Sequence, residues 1–345
     1  MLQVHSKPII DFVVCTWNNR DIISPTLNGI ARQTVKDFTC TVVDDCSTDG
    51  TVEFVEDRFP WVEVVRKPEN SGPSPSRNIG LARGRAEYVV FMDSDVTLEP
   101  DWAEHQIRLL ESRPVAGIAC GKLLYSAFPQ MLYGAYGTMS RYGVAWDGGS
   151  REPAEGFQGV RRCLWANTTA LMTRRSMTDA MGGFDGAMFT MFEDTDFGWR
   201  ANLFGYEVIC NPAAVAVHRV HGTLNPASMN RRLVYLVWRN RLRSILVNYE
   251  AFNLFRYAAP FLVMSVADAA VYGPWYEKFS ALWWNVKMLR DTLKRRRFVQ
   301  RNRTVADRQL WPLFEKRLRG PGYFVFAAGT ESIDRTEPAN SAFSL

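Results

Sequence analysis

The sequence predicts an α/β fold whose first part is built on a parallel sheet. Short apolar runs alternate with helical stretches along residues 9–95. Strands that alternate with helices form right-handed βαβ units and hence a parallel sheet. Several of these runs end in Asp or Thr, and open sheets bind ligands at the carboxyl ends of their strands. We therefore expect a binding site along one edge of the sheet.

The predicted elements follow one another without long gaps. Residues 88–92 are five consecutive apolar residues, as in a strand that is buried on both faces. Ser47, Thr48 and Asp49 can cap the helix that follows them. In chain order we predict strands at residues 9–16, 38–43, 61–65 and 86–92, and helices at 22–33, after the caps through 58, and at 76–82.

Length and charge predict a main domain with an appendage. The chain has 345 residues, of which 47% are hydrophobic and 22% are charged, as in globular proteins. Its formal charge is +5, but residues 231–320 carry 19 Lys and Arg against 6 Asp and Glu. That segment has a net charge of +13 and the remainder −8, so two different surfaces share the chain.

The cysteines indicate a reducing compartment. The 6 cysteines are scattered, and none belongs to a CxxC pair. Several fall inside predicted strands, as reduced core cysteines of a cytosolic protein do. The start of the sequence lacks the apolar core of a signal peptide. We therefore expect the protein on the cytoplasmic side of the cell membrane.

Three predicted strands end in polar residues that can converge. Thr16 ends the first strand, and Asp44 and Asp45 follow the second. Asp93 and Asp95 follow the fourth strand. Neither GxGxxG after the first strand nor GxxxxGK[ST] is present. A nucleotide on this sheet would therefore be held by carboxylates and a metal rather than by a glycine-rich loop.

The sequence Asp93-Ser94-Asp95 has two interpretations. In extended chain, residues two positions apart point to the same side, so both carboxylates can face one divalent cation and the phosphates behind it. Asp and Ser also favour turns, and a polar turn that closes the strand explains the same residues. The motif alone leaves both interpretations open.

Five motifs in order resemble the family 2 glycosyltransferases with the GT-A fold, and the resemblance covers roughly residues 8–222. It is to non-processive members such as the bacterial rhamnosyl- and galactofuranosyltransferase-like enzymes, since the QxxRW of processive synthases is missing. The motifs are VDDCSTDGT at residues 43–51, the segment 72–80 that ends in RNIG, MDSD at 92–95, GGFD at 182–185 and FEDTDFGWR at 192–200.

The resemblance implies a donor site for a nucleotide-diphosphate sugar with UDP, GDP or dTDP as its nucleotide. It assigns the backbone of Thr16 and the carboxylate of Asp45 to the base. It assigns Arg77 to the diphosphate, where a guanidinium forms charge-assisted hydrogen bonds. Asp93 and Ser94 complete the implied donor-binding set.

The resemblance also implies a metal site, for Mn²⁺ or Mg²⁺, at Asp93, Asp95 and His218. A divalent cation that bridges the phosphates would stabilise the charge that develops on the leaving nucleotide. His218 follows the apolar run at residues 213–217, and a plain hydrogen-bonded histidine is the alternative at such a position.

The acidic run at residues 193–196 supplies the predicted catalytic base. The acceptor hydroxyl must lose its proton as it attacks, so a carboxylate is needed on the opposite face of the sugar. We assign this role to Asp194, near the start of a helix whose dipole should keep the carboxylate ionised. An acidic helix N-terminus without a function is the alternative. The acceptor-binding candidates are Glu193, Trp165 and Asn167.

Residues 226–320 are predicted to form basic helices that attach the protein peripherally to a membrane surface. Their basic residues and their Trp, Tyr and Phe match the composition of interfacial helices. The uninterrupted apolar runs are shorter than the about 20 residues of a bilayer span. A helical domain packed on the catalytic one, with a solvated basic face, is the alternative. No nucleic-acid-binding module accompanies the charge, and residues 321–345 are predicted to be loosely structured.

These predictions combine into one activity. Residues 1–225 would form a GT-A catalytic domain, with a donor half at 1–125 and an acceptor half at 126–225. The predicted reaction is inverting, metal-dependent transfer of a hexosyl or deoxyhexosyl group to a lipid-linked glycan in cell-envelope polysaccharide or glycoconjugate synthesis. The alternatives are an inactive membrane-bound scaffold of the same fold and a nucleotidyltransferase. A homo-oligomer is left open.

Overall fold

The computed structural model describes residues 8–219, 226–271 and 274–316. Its first part confirms the predicted alternation of strands and helices. The helix predicted from residue 76 begins earlier, at Pro73, because proline suits the first helical turn and Gly72 supplies a positive φ of 89° before it. The elements are β1 (Ile10–Thr16), α1 (Ile23–Ala31), β2 (Phe38–Asp44), α2 (Thr51–Arg58), β3 (Glu63–Arg66), α3 (Pro73–Arg83) and β4 (Tyr88–Asp93).

The middle of the chain extends this sheet and adds a smaller one. Its elements are β5 (Val96–Leu98), α4 (Trp102–Ser112), β6 (Ala116–Tyr125), β7 (Leu132–Gly134), β8 (Tyr136–Ser140), β9 (Ala145–Gly148), β10 (Arg161–Cys163), β11 (Ala170–Arg174), α5 (Arg175–Ala180), α6 (Glu193–Leu203) and β12 (Glu207–His218).

The last described part is mostly helical, as predicted. Within the described residues, no helix has both the length and the hydropathy needed to cross a membrane. The tail predicted at residues 321–345 lies outside the described residues. The elements are α7 (Pro226–Asn248), α8 (Ala251–Val271), α9 (Trp275–Lys287), α10 (Leu289–Asn302), α11 (Asp307–Leu310) and β13 (Phe314–Glu315).

The main sheet is mixed. Within the described residues its strand order is β10-β12-β6-β11-β4-β1-β2-β3, with β5 on β12 and β7 on β6. β1 to β4 pair in parallel, whereas β11 runs antiparallel to β4 and β6. The parallel sheet predicted for the first part of the chain is therefore confirmed for these four strands. Beyond them the pairing is mixed, since β12 runs parallel to β6. β8, β9 and β13 form the small second sheet.

The central strand β1 is buried along its whole length, which explains its continuous apolar run. Phe12 and Val14 join one hydrophobic cluster, and Val13 between them joins another. Helix α3 covers the Val13 face so closely that a Cβ added at Gly80 would lie 2.2 Å from Val13 Cγ1. Core packing on both sides thus fixes the position of the carboxyl end of β1.

The C-terminal helices pack on the preceding part of the chain through a shared core. One hydrophobic cluster contains Trp199 of α6 together with Ile245 of α7 and Phe261 of α8. The arginines of α7 contribute to this packing, since Arg243 is 1% exposed and its Nε lies 2.7 Å from Asp185 Oδ2. The membrane-facing role predicted for the basic residues of α7 is therefore wrong for Arg243, whose charge is satisfied inside the protein.

A fully buried acid ties α6 to α7. Asp196 accepts hydrogen bonds from Arg200 Nε at 2.6 Å, Ser244 Oγ at 3.0 Å and Asn248 Nδ2 at 2.9 Å. Asp196 and Arg200 are both 0% exposed. Both oxygens of Asp196 are thus hydrogen-bonded, whereas Arg200 Nη2 is buried without a hydrogen-bond partner among the described residues, so the guanidinium depends on Asp196 for its counter-charge.

The substitution Asp196→Ala should lower the free energy of unfolding by about 3–5 kcal/mol, because it leaves the Arg200 guanidinium charged and buried. Equilibrium urea denaturation measures this change. The matched control is Glu56→Ala, which removes an exposed partner of Arg66 and should leave the unfolding midpoint nearly unchanged. A loss no larger than that of the control would contradict the structural role of Asp196.

Candidate active site

The carboxyl ends of three strands meet at one edge of the sheet, as the sequence predicts. Thr16 at the end of β1 is in register with Asp44 at the end of β2. Cys15 beside it is in register with Asp93 at the end of β4. The carbonyl oxygen of Thr16 accepts a hydrogen bond from Asp45 N at 2.8 Å. The predicted donor residues of these strands therefore lie side by side.

Asp45 organises the loop that precedes α3. Its carboxylate forms a buried ion pair with Lys67 and accepts hydrogen bonds from Ser71 N at 2.9 Å and Gly72 N at 2.7 Å. The base contact assigned to Asp45 stays a prediction, because protein groups engage both of its oxygens in this structure. Lys67 was not predicted from the sequence, although its place directly after β3 matches that of the acids that follow β2 and β4.

Arg77 of α3 joins the end of β4 to the start of α6, the helix that carries the predicted base. Its Nη2 lies 3.0 Å from Asp93 Oδ1 and its Nη1 lies 2.9 Å from Glu193 Oε1, with Arg77 itself 2% exposed. Burial lowers the pKa of Arg77, but the charges of Asp93 and Glu193 outweigh it and raise that pKa. Arg77 therefore stays charged and fixes the two acids relative to each other.

Asp93 sits in a site that disfavours further negative charge. Burial raises its pKa more than the Arg77 charge lowers it, and the neighbouring Asp95 raises it again. Its second oxygen lies 3.3 Å from Thr169 Oγ1. A cation beside these carboxylates would favour their ionised forms.

Asp95 and His218 come together because β5 pairs with β12, which places Val96 opposite His218. His218 Nε2 lies 3.2 Å from Asp95 Oδ2. The other ring nitrogen, Nδ1, is buried without a hydrogen-bond partner among the described residues. The ring of Tyr133 packs edge-on against the imidazole, with 4.6 Å between ring centroids.

These residues fit a divalent cation by type, since carboxylate oxygens and imidazole nitrogens both bind Mn²⁺. Two of the three predicted ligands, Asp95 and His218, lie within hydrogen-bonding distance, whereas Asp93 is held by Arg77 and Thr169. No group of three or more His, Cys, Asp or Glu side chains is arranged to hold a metal within the described residues. The three predicted metal ligands are therefore present at one edge of the sheet, but only Asp95 and His218 are close enough to share a metal ion in this arrangement.

Asp194 lies in the first turn of α6, where the sequence analysis predicted it. Burial raises its pKa well above the ordinary value, and the charges of Glu193 and Asp147 raise it further. Burial and two nearby acids therefore act against the helix dipole, which was expected from the sequence to favour the ionised carboxylate.

A strained turn leads into α6. Met191 and Phe192 have φ values of 68° and 70°, which non-glycine residues rarely adopt. The fully buried Asn240 of α7 holds this turn, because its Nδ2 donates to Thr190 O at 2.9 Å and to Met191 O at 2.6 Å. A residue of the C-terminal helices thus fixes the start of the predicted catalytic helix.

Asp147 of β9 is a site residue that the sequence analysis missed. Burial raises its pKa to about 6, against the opposing effects of a hydrogen bond from Asn167 and of His218. Asn167 Oδ1 also accepts a hydrogen bond from Thr169 Oγ1 at 2.5 Å, so a chain of polar groups leads from Asp147 toward Asp93. No sequence motif surrounds Asp147, which reaches this position through the pairing of β9 with β8.

The remaining predicted residues have internal partners. Trp165 is 4% exposed, its Nε1 donates to Thr138 O at 2.9 Å, and its ring packs against Gly137. The structure therefore makes Trp165 a core residue rather than an open platform for an acceptor sugar. Glu193 is buried against Arg77, and Ser94 Oγ accepts a hydrogen bond from Asn19 Nδ2 at 2.7 Å.

Two family models match the chain, one for glycosyl transferase family 2 at residues 11–134 and one for glycosyl transferase family group 2 at residues 88–290. The putative teichuronic acid biosynthesis glycosyltransferase TuaG of Bacillus subtilis is 34% identical over 32% of this chain and 45% of its own length. The succinoglycan biosynthesis protein ExoO of Rhizobium meliloti is 33% identical over 33% of this chain and 32% of its own. The chain thus spans less than half the length of these relatives.

Solved structures share the fold at low sequence identity. A GalNAc-T7 structure with UDP, GalNAc and Mn²⁺ superposes with a TM-score of 0.58 at 14% identity, over 74% of this chain and 50% of that one. The mannosyltransferase PcManGT of Pyrobaculum calidifontis, with GDP-Man and Mn²⁺, gives a TM-score of 0.52 at 18% identity, over 89% of this chain and 88% of its own.

The match at residues 88–290 covers more than half of the 345 residues and includes both the acids after β4 and helix α6. The sheet agrees with the predicted GT-A architecture. The chain therefore belongs to the family 2 glycosyltransferases and has a GT-A fold.

Proposed function

We propose that the protein catalyses inverting, metal-dependent transfer of a hexosyl or deoxyhexosyl group from a nucleotide-diphosphate sugar to a lipid-linked glycan. The observation that carries the proposal is the Arg77 bridge from Asp93 to Glu193, because it joins the predicted donor residues to the helix of the predicted base. The relatives named for teichuronic acid and succinoglycan biosynthesis support a role in cell-envelope polysaccharide or glycoconjugate synthesis.

The donor is a UDP-, GDP- or dTDP-sugar bound at the carboxyl ends of β1, β2 and β4. Structural neighbours that hold UDP or GDP-Man support this choice. Thr16 Oγ1 is buried without a hydrogen-bond partner among the described residues, and a nucleotide could supply one. Arg77 directs its guanidinium toward Asp93, so it contributes positive charge where the diphosphate of the donor would lie.

Mn²⁺ or Mg²⁺ would be held by Asp95 and His218, with Asp93 as the third candidate ligand. The Mn²⁺ in both structural neighbours supports a divalent cation. When bound, the metal supplies a Lewis acid that stabilises negative charge on the departing nucleotide. The edge-on contact of Tyr133 keeps the imidazole of His218 in one orientation toward Asp95.

Asp194 takes the proton of the acceptor hydroxyl. At the same time the oxygen of that hydroxyl attacks the anomeric carbon, and the bond from that carbon to the phosphate oxygen breaks. One displacement of this kind inverts the configuration at the anomeric carbon. The raised pKa makes Asp194 a stronger base than an ordinary Asp. The carboxyl must first be ionised, so the transfer rate should increase as the pH rises through this raised pKa.

The substitution Asp194→Asn should reduce transfer by about 10²–10⁴-fold, the usual contribution of a positioned general base. Donor affinity should stay near normal, because the amide keeps the size and shape of the side chain. Initial rates with radiolabelled donor and calorimetric donor titration measure the two effects. Should donor affinity collapse while turnover per bound donor stays normal, Asp194 is a binding residue and not the base.

The substitution Asp147→Asn should move the acid limb of the transfer rate to lower pH. The charge of Asp147 raises the pKa of Asp194, so its removal lets Asp194 ionise at lower pH. The rate in alkaline buffer should change little. The pH profile of kcat/KM measures the shift, with the exposed acid variant Asp101→Asn as control. A uniform loss of rate at every pH, with an unmoved limb, would mean that Asp147 contacts the acceptor instead.

The substitution Asp95→Ala should abolish Mn²⁺-dependent donor binding while the circular dichroism spectrum is retained. Loss of one metal carboxylate should remove several kcal/mol of transition-state stabilisation. Calorimetric titration of the donor, with and without Mn²⁺, measures this directly, and Asp101→Ala is the matched control. Full activity of Asp95→Ala, or of the unmodified protein in EDTA, would rule out the metal assignment.

A further inference from the structure

We propose that the protein docks on the surface of an anionic lipid bilayer through the apolar face of α8 and α9 and the basic stripe of α10. The apolar face is the exposed side of these two helices, and the basic stripe lies on the exposed side of α10. This proposal is independent of the sugar donor and of the acceptor. The apolar face is represented by Phe255, Val263 and Met264 on α8 and Trp275, Phe279 and Trp283 on α9, and the basic stripe consists of Arg290, Lys294, Arg297 and Arg301.

Helix α8 contacts the protein along one narrow side. Tyr257, Ala258 and Phe261 are buried there, in the core shared with α6 and α7. The opposite side is open and largely apolar, with Phe255 80% exposed and Val263 70% exposed, and the exposed Arg256 is a cation on the same side. Single exposed apolar residues are ordinary on a surface, but a contiguous apolar helix face of this kind marks an interaction site.

Helix α9 continues the apolar face, because it packs against α8. Its inner side buries Lys278, Ala281 and Asn285. Its outer side carries Trp275 at 62% exposure and Trp283 at 59%, with Phe279 midway between them. The spacing of four residues puts all three on one side of the helix. Trp and Tyr are the side chains that proteins enrich at the boundary between lipid and water.

The basic stripe has the spacing of one helix side. Arg290, Lys294, Arg297 and Arg301 follow one another at intervals of four, three and four residues and are all exposed. Among the described residues, no carboxylate forms an ion pair with any of these four. This contrasts with Arg243 of α7, whose charge is matched inside the protein by Asp185. The stripe is therefore a set of solvated cations beside an apolar surface.

An anionic bilayer surface complements both parts of this arrangement. Anionic headgroups would neutralise the stripe, while the apolar face would enter the boundary between headgroups and acyl chains. A second copy of the chain is a poorer match, because an isologous contact through the apolar face would bring two basic stripes near each other. The composition also matches that of helices that lie in the membrane interface rather than cross it.

Helix α9, which carries part of the apolar face, is connected through α7 to the helix of the predicted base. Asn285 Nδ2 of α9 donates to Arg239 O of α7 at 3.0 Å. The next residue, Asn240, holds the carbonyl groups of Thr190 and Met191 in the turn before α6. A bilayer bound to α9 would therefore lie in a fixed relation to the start of α6.

The test is flotation of the purified full chain with vesicles of phosphatidylcholine alone and of phosphatidylcholine with phosphatidylglycerol, at low and high salt. No donor or acceptor is added. We expect binding to the vesicles that contain phosphatidylglycerol. High salt should weaken this binding without abolishing it, because salt screens the stripe but not the apolar contact.

Two variants separate the contributions. The triple variant Arg290→Gln, Lys294→Gln and Arg297→Gln should bind phosphatidylglycerol vesicles on the order of 100-fold more weakly and lose most of its salt dependence, since only Arg301 of the stripe remains. The double variant Phe255→Ser and Trp283→Ser should bind at least about 10-fold more weakly at both salt concentrations. The matched control is Val115→Ser, an apolar residue of the catalytic part that is 56% exposed and should leave binding unchanged.

A protein that remains in the soluble fraction with every vesicle would overturn the proposal. If light scattering then shows a dimer that Phe255→Ser with Trp283→Ser dissociates, a second copy of the chain covers the face. Hydrolysis of a soluble radiolabelled donor by the same preparations distinguishes this outcome from a failure of the proposed function. That activity requires no membrane and should be equal in all of these variants.

Discussion

The structure depends most on one buried guanidinium, that of Arg77. It pairs with Asp93 at the end of β4 and with Glu193 at the start of α6, so it joins two elements that are far apart in sequence. Without it, Glu193 would be a buried carboxylate without a counter-charge, which proteins avoid. Arg77 therefore does structural and electrostatic work together, because the same ion pairs that hold α6 against β4 also set the charge around the donor site.

The site as a whole has more acidic side chains than basic ones. Asp95, Asp147 and Asp194 join the two carboxylates that Arg77 binds, and burial raises the pKa of both Asp147 and Asp194. Such a cluster either holds protons or recruits a cation. A nucleotide-diphosphate sugar is itself an anion and would be repelled. A divalent cation would reduce both the repulsion among these acids and the repulsion between the acids and the anionic donor. This is a physical reason why such an acidic site can serve a transferase of this family.

The sequence allows the donor half to be predicted because its information is local. β1 and β4 are buried on both faces, so an apolar run and the polar residue that ends it identify the strand and the site at once. Contacts between distant segments leave no such pattern. Asp147 reaches the site only because β9 pairs with β8. Trp165 is of a residue type that can stack on a sugar ring, but it lies in the core. Net charge was equally ambiguous, since the count of arginines cannot distinguish Arg243, which is buried, from those exposed on α10.

The strained turn before α6 has a consequence for how enzymes of this architecture can change. Its conformation is held by Asn240, a residue that belongs to the appended helices and not to the sheet. The chain is thus not modular at residue 225, the predicted domain boundary, even though the main sheet is complete before that point. An exchange of residues 226–302 between two such enzymes would carry over any new attachment surface, but it would transfer function only if the incoming helix kept an amide donor at this one position. A substitution of Asn240 would therefore act on the turn before α6 from inside the fold, whereas, among the described residues, the exposed ones of α8 and α9 make no hydrogen bond with that turn.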